Sequence, residues 1–151
     1  MKTQILSATL FFVASQAIAT GPMEKWTGTG ATFTPDGQRL ESYKVDVDNT
    51  RLGAGVIKSE ITIILEDGTK KLASQKLTFK GSKWAVDSNL GKGGGACYGP
   101  DICENHISDG AGREFSTTIV NDGKFARRNV TFELENGKPV KVLREQLVKV
   151  Q

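Results

Sequence analysis

The sequence predicts an all-β fold, an eight-stranded antiparallel up-and-down barrel, with a β-sandwich as the alternative. Three observations predict it. Five tight-turn signals punctuate the chain: Pro35-Asp36-Gly37, Asp67-Gly68, Lys80-Gly81-Ser82, Asp122-Gly123 and Asn136-Gly137. Asp-Gly and Asn-Gly suit hairpins because a type I′ turn needs positive φ at both central residues. The segments between the signals alternate apolar and polar side chains with period two. Only one connection, about residues 90–112, is long. Strands joined mainly by tight turns form a meander, and closing the meander removes its two exposed edges. A sandwich needs more long crossovers than this chain offers.

The expected strands cover 25–34, 38–48, 55–66, 69–79, 83–89, 113–121, 124–135 and 138–149. In the second, Tyr43, Val45 and Val47 alternate with Lys44, Asp46 and Asp48. In the third, Ile57, Ile61, Ile63 and Leu65 share one parity, with Ser59 the exception. Leu77 and Phe79 mark the fourth, Trp84 and Val86 the fifth, and Phe115, Thr117 and Ile119 the sixth. In the seventh, Val130, Phe132 and Leu134 lie opposite Asn129, Thr131 and Glu133. The last opens on Val140 and Val142, but Leu143 and Leu147 fall on the other parity. Either both of its faces are partly covered or a bulge interrupts it. No window from residue 20 onward holds a helical period over three turns.

Length and composition limit the function classes. At 151 residues, 38% hydrophobic and 25% charged, the chain is one globular domain and not a disordered one. Residues 1–19 read as a secretory signal peptide: Lys2, an apolar stretch from Ile5 to Ala14, then the small-residue cleavage pattern Ala17-Ile18-Ala19. That stretch is too short for a stable membrane anchor, and no later stretch is apolar enough to span. The expected product is residues 20–151, exported to a periplasm or secreted, from a bacterium by the short charged start. The formal charge of +3 includes Lys2, and no basic run exists, so nucleic acid is not an expected partner.

Trp26-Thr27-Gly28-Thr29-Gly30 opens the first strand. This stretch is similar to the Trp-x-Gly-x-Gly opening of nitrobindin-like haem barrels. With the eight-strand pattern, the chain resembles the calycin group of lipocalins, fatty-acid-binding proteins and their relatives. The resemblance implies an indole plugging a closed end, glycines that let the strand bend, and a cavity for a small apolar ligand. It does not extend to haem. Nitrobindin-like proteins ligate haem through a histidine near the C-terminus, whereas the single histidine here is His106, in the long connection. No cofactor is expected. Trp26, Tyr43, Trp84, Phe115 and Phe132 are the candidate ligand-lining residues.

The connection at 90–112 is read as a long loop holding both cysteines, with a glycine-rich hinge and a possible role as a lid. Cys97 and Cys103 are six apart, and in an oxidising compartment a disulfide is the leading reading. Closing so short a loop stabilises by about 2 kcal/mol in the chain-entropy model. A redox switch, or a zinc site from Cys97, Cys103, His106 and Glu104 or Asp101, are the alternatives. Export argues against both, so no metal is expected. Gly91-Lys92-Gly93-Gly94-Gly95-Ala96 loosely fits a dinucleotide fingerprint, but it lacks the strand-to-helix setting that fingerprint needs. His106, Ser108 and Asp109 are too close in sequence to converge as a triad. Asp46 and Asp48 share an exposed strand face, and Asn129-Val130-Thr131 is a glycosylation acceptor only in a eukaryotic secretory pathway.

Two function classes follow. The first is a binding module holding a small hydrophobic or amphipathic molecule. The second is a non-enzymatic envelope module with a filled core, meeting a protein partner through Tyr98, Ile102 and His106 of the loop, around Pro100. No constellation points to an enzyme, and no catalytic residue is assigned.

Overall fold

The computed structural model describes residues 20–150. The leader expected over residues 1–19 lies outside the described residues. Ten strands are described: β1 Gly21–Phe33, β2 Arg39–Gly53, β3 Val56–Leu65, β4 Lys70–Lys80, β5 Lys83–Ser88, β6 Gly91–Cys97, β7 Ile102–Ser108, β8 Arg113–Asn121, β9 Ala126–Glu135 and β10 Lys138–Val150. Each is antiparallel to its predecessor, and β1 pairs with β10 from Lys25 opposite Val150 to Phe33 opposite Val142. The sheet is a closed barrel. The sandwich alternative falls with that closure, because a ring of paired strands has no second sheet.

The count of eight is corrected to ten, and the long loop at 90–112 is corrected to a hairpin of the wall. β6 and β7 occupy most of it. β6 carries Gly91 and Gly93-Gly94-Gly95, so it has too few side chains to display a period. It is held by neighbours on both sides. Gly93 lies opposite Val86 and Ile107, and Gly95 opposite Trp84 and Asn105. A Cβ on Gly95 would collide with the Trp84 indole and the Glu104 carbonyl. Glycine is therefore needed for close approach, while Trp84 covers the bare backbone. The segment is wall, not lid.

At Asn136-Gly137, both residues have positive φ, 49° and 76°, as a type I′ turn requires. The alternating turns define two rims. The first rim carries the turns after β1, β3, β5, β7 and β9. The second carries those after β2, β4, β6 and β8, together with the start of β1 and the end of β10.

The core divides into two clusters. Trp26, Tyr43, Val45, Val47 and Leu147 form one, flanked by Ile61, Ile63, Leu65 and Leu143. Trp84, Val86, Cys103 and Ile107 form the other, flanked by Leu77, Phe79, Phe115 and Ile119. The first is centred on β1, β2 and β10, the second on β5 and β7.

Both readings of the last strand hold. A register shift lies between Pro139 and Lys141, and both faces carry apolar residues. Leu143 faces inward opposite Thr32 of the cavity wall, whereas Val142 lies opposite Phe33 and Phe132 on the outside. Burial of Val142 to 7% exposure comes from that outer row.

Candidate functional site

The barrel encloses a cavity of about 990 Å³, whose lining reaches both rims. Its two sides differ in chemistry. β3, β4, β5, β7 and β8 supply an apolar wall that includes Ile61, Ile63, Leu77, Trp84, Ile107 and Phe115. β9 and β10 supply a polar wall: Arg127, Asn129, Thr131 and Glu133 from one, Lys141, Glu145 and Lys149 from the other. Strand alternation places each of these sets on one face.

Phe132 is a correction. It lies on the outer face of β9, 42% exposed, and is not part of the cavity wall. The apolar parity of that strand packs outward against Val142, and the polar parity turns in. The other four aromatic candidates, Trp26, Tyr43, Trp84 and Phe115, stand in the cavity wall. Trp84 donates from Nε1 to Asn105 Oδ1 at 3.2 Å, and its ring lies 5.6 Å from that of Phe79. Tyr43 lies over Gly30, where a Cβ would run into the phenol ring.

The polar wall is organised around two carboxylates. Glu145 accepts a hydrogen bond from Tyr43 Oη at 3.1 Å and one from Asn129 Nδ2 at 3.0 Å. Burial, and then the Glu145 charge, push the Tyr43 phenol well above its ordinary range, so it stays protonated. Towards the first rim, Glu133 is buried and accepts from Arg113 at 2.8 Å and 2.7 Å, with Lys141 at 3.9 Å. Towards the second rim, Lys149 pairs with Glu24 at 2.6 Å.

Arg127 differs from these. Its guanidinium stacks 4.6 Å over the Trp26 ring, and its Nε is buried without a hydrogen-bond partner. Burial pulls this group below its usual range, against the opposing pull of Glu145 and Glu24. Trp26 Nε1 and Asn129 Oδ1 are likewise buried and unpartnered. Two donors and one acceptor therefore face low-dielectric surroundings, which costs free energy unless a polar group meets them. Arg127, Asn129 and Glu145 were not candidates from the sequence. The legible signal was a polar stripe at Arg127, Asn129, Thr131 and Glu133, as regular as the apolar stripe beside it.

Cys97 and Cys103 form a disulfide across the β6–β7 hairpin, where they lie opposite each other. The bond occupies both thiols, which removes the zinc set. Unreduced protein should react with no thiol reagent; labelling at either cysteine would contradict the bridge. Tyr98 is 65% exposed and Ile102 45%, both at the second rim. His106 is on the outer face of β7, with Nε2 3.7 Å from Glu114. The three do not converge on one site.

No protein-family model matches the chain, and no curated protein sequence matches it. Among solved structures, the S-type phycobiliprotein lyase CPES from Guillardia theta is similar, with a TM-score of 0.65 and 10% sequence identity. The match covers 95% of this chain and 92% of that one. At that identity the likeness is one of fold, and the architecture is calycin-like.

Proposed function

We propose that this calycin-like barrel is an exported binding protein that holds a small amphipathic molecule in its cavity. The observation that carries the reading is the two-sided wall. An apolar body would lie against Ile61, Ile63, Leu77 and Phe115, and a polar end would meet the opposite wall of Arg127, Asn129 and Thr131. Cavities of several hundred Å³ with mostly apolar walls and a few polar groups are the usual form of small-molecule sites. The Cys97–Cys103 bridge supports a place of work outside a reducing cytoplasm. The lyase activity in the name of the similar structure is not carried over, since 10% identity transmits a fold and not a reaction.

Native mass spectrometry of protein taken gently from its own compartment tests this. An extra mass lost on denaturation is the expected result, and its size would identify the ligand. Ala73 lines the cavity, and Ala73→Trp would place an indole in it. That variant should lose the extra mass and bind an apolar fluorescent probe roughly tenfold more weakly. Identical native and denatured masses, with no probe binding by the parent protein, would overturn the proposal.

A further inference from the structure

We propose that the second rim docks on the surface of an anionic lipid bilayer. Five apolar side chains stand in water at this rim: Leu52 at the end of β2, Tyr98 and Ile102 at the β6–β7 turn, Phe125 at the β8–β9 turn and Val150 at the end of β10. Phe125 is 55% exposed although it also belongs to the cavity wall.

These tips are held in place. The disulfide closes the base of the β6–β7 turn, and Tyr98 N donates to Ile102 O at 2.9 Å. Asn121 ties that turn to the next hairpin, donating from its backbone to Asp101 O at 2.8 Å and from Nδ2 to Pro100 O at 3.3 Å. Lys149 N donates to Phe125 O at 2.8 Å, which fixes the β8–β9 turn to β10. A mobile loop would fold its apolar residues away from water. This rim is braced so that it cannot.

Charge selects the partner. Lys80, Lys83 and Lys124 are exposed at the same rim, and among the described residues they enter no ion pair. Its acidic residues are largely engaged: Asp122 with Arg128, Glu24 with Lys149 and Asp48 with Lys25. Asp101 and Glu104 are the exceptions. The first rim also exposes Leu40 and Leu72, but it carries exposed Asp36, Glu66, Asp67, Asp109 and Glu135. Exposed Arg39, Lys70, Lys71 and Lys138 nearly balance those carboxylates, so the first rim holds no excess of positive charge to attract an anionic surface.

The geometry favours lipid over protein. The apolar and cationic tips belong to successive hairpins around a ring, which suits a fluid surface with no shape of its own. Tyrosine sits well at the water–hydrocarbon boundary, and lysine reaches anionic headgroups from there. Docking does not depend on the cavity being occupied, so it stands or falls separately from the ligand proposal.

The test is vesicle flotation, using the protein with the N-terminus it carries in cells. Vesicles of phosphatidylcholine containing phosphatidylglycerol should carry the protein upward, and phosphatidylcholine alone should carry it at least roughly tenfold less well. Added salt should release it. Two variants separate the contributions. Lys80→Glu/Lys83→Glu/Lys124→Glu should lose the preference for phosphatidylglycerol. Tyr98→Ser/Ile102→Ser should weaken binding to both vesicle types while keeping cooperative thermal unfolding. Failure of the folded parent protein to float at low salt overturns the proposal. So does self-association through this rim that Tyr98→Ser/Ile102→Ser abolishes while flotation is unchanged.

Discussion

Gly30→Ala should destabilise the barrel by about 1–3 kcal/mol, and most of that loss should vanish when Tyr43 is also Ala. The three nearest atoms to a Cβ at Gly30 all belong to the Tyr43 phenol. The added methyl must push that ring off the strand and away from Glu145. With the ring gone, the three nearest obstacles go with it. Gly95→Ala makes the contrast. There the Cβ meets both the Trp84 indole and the Glu104 carbonyl. Trp84→Ala, itself costing about 3–5 kcal/mol, removes only the first obstacle. The backbone of β7 cannot move without opening the ladder, so Gly95→Ala should stay costly in that background. Urea unfolding of the two double-mutant cycles measures this. Additive losses at Gly30 and Tyr43 would show that the ring is not what excludes a side chain there.

Stability should fall steeply above about pH 10, and Tyr43→Phe should flatten the fall. The phenol of Tyr43 has a raised pKa in the folded chain, by burial first and by Glu145 next. Above the ordinary tyrosine range the unfolded chain loses this proton while the folded chain keeps it. The folded state then binds more protons, so its stability declines as pH rises. The contribution is whole below the unfolded pKa and lost on the way up to the folded one. Glu145→Gln should bring the phenol down part of the way, since burial remains. Phenolate absorbance followed against pH, with urea unfolding at each step, reads both effects. Parallel curves for the parent and Tyr43→Phe would contradict the burial of this hydroxyl.

Most of the wall was legible because its strands carry their own signals. Tyr43, Val45 and Val47 alternate with charges, and Asn136-Gly137 can turn only one way at low cost. β6 was not legible. Gly93-Gly94-Gly95 has poor intrinsic strand preference, and its pairing is imposed by Trp84 on one side and Ile107 on the other. β7 was lost with it, because Ile102, Cys103 and Ile107 were read as parts of a loop. The aromatic candidates met the cavity in four cases of five. Phe132 failed because period two shows that two faces differ without showing which is inside.

The direction of a face is a property of closure. Val130, Phe132 and Leu134 could equally have filled the barrel. The register with β10 turned them out against Val142 and brought Arg127, Asn129 and Glu133 inward. A polar wall, the Glu145 network and the Trp26–Arg127 stack all follow from that one choice. An all-β chain, five of its hairpin turns and a disulfide as the leading reading of Cys97 and Cys103 could be read along the chain, because each depends on residues near one another in it. Only the tertiary structure decided the number of strands, the inward face of β9 and the two-sided cavity. Those depend on which strands meet when the sheet closes, where the energy of a strand is set by its neighbours and not by its own residues.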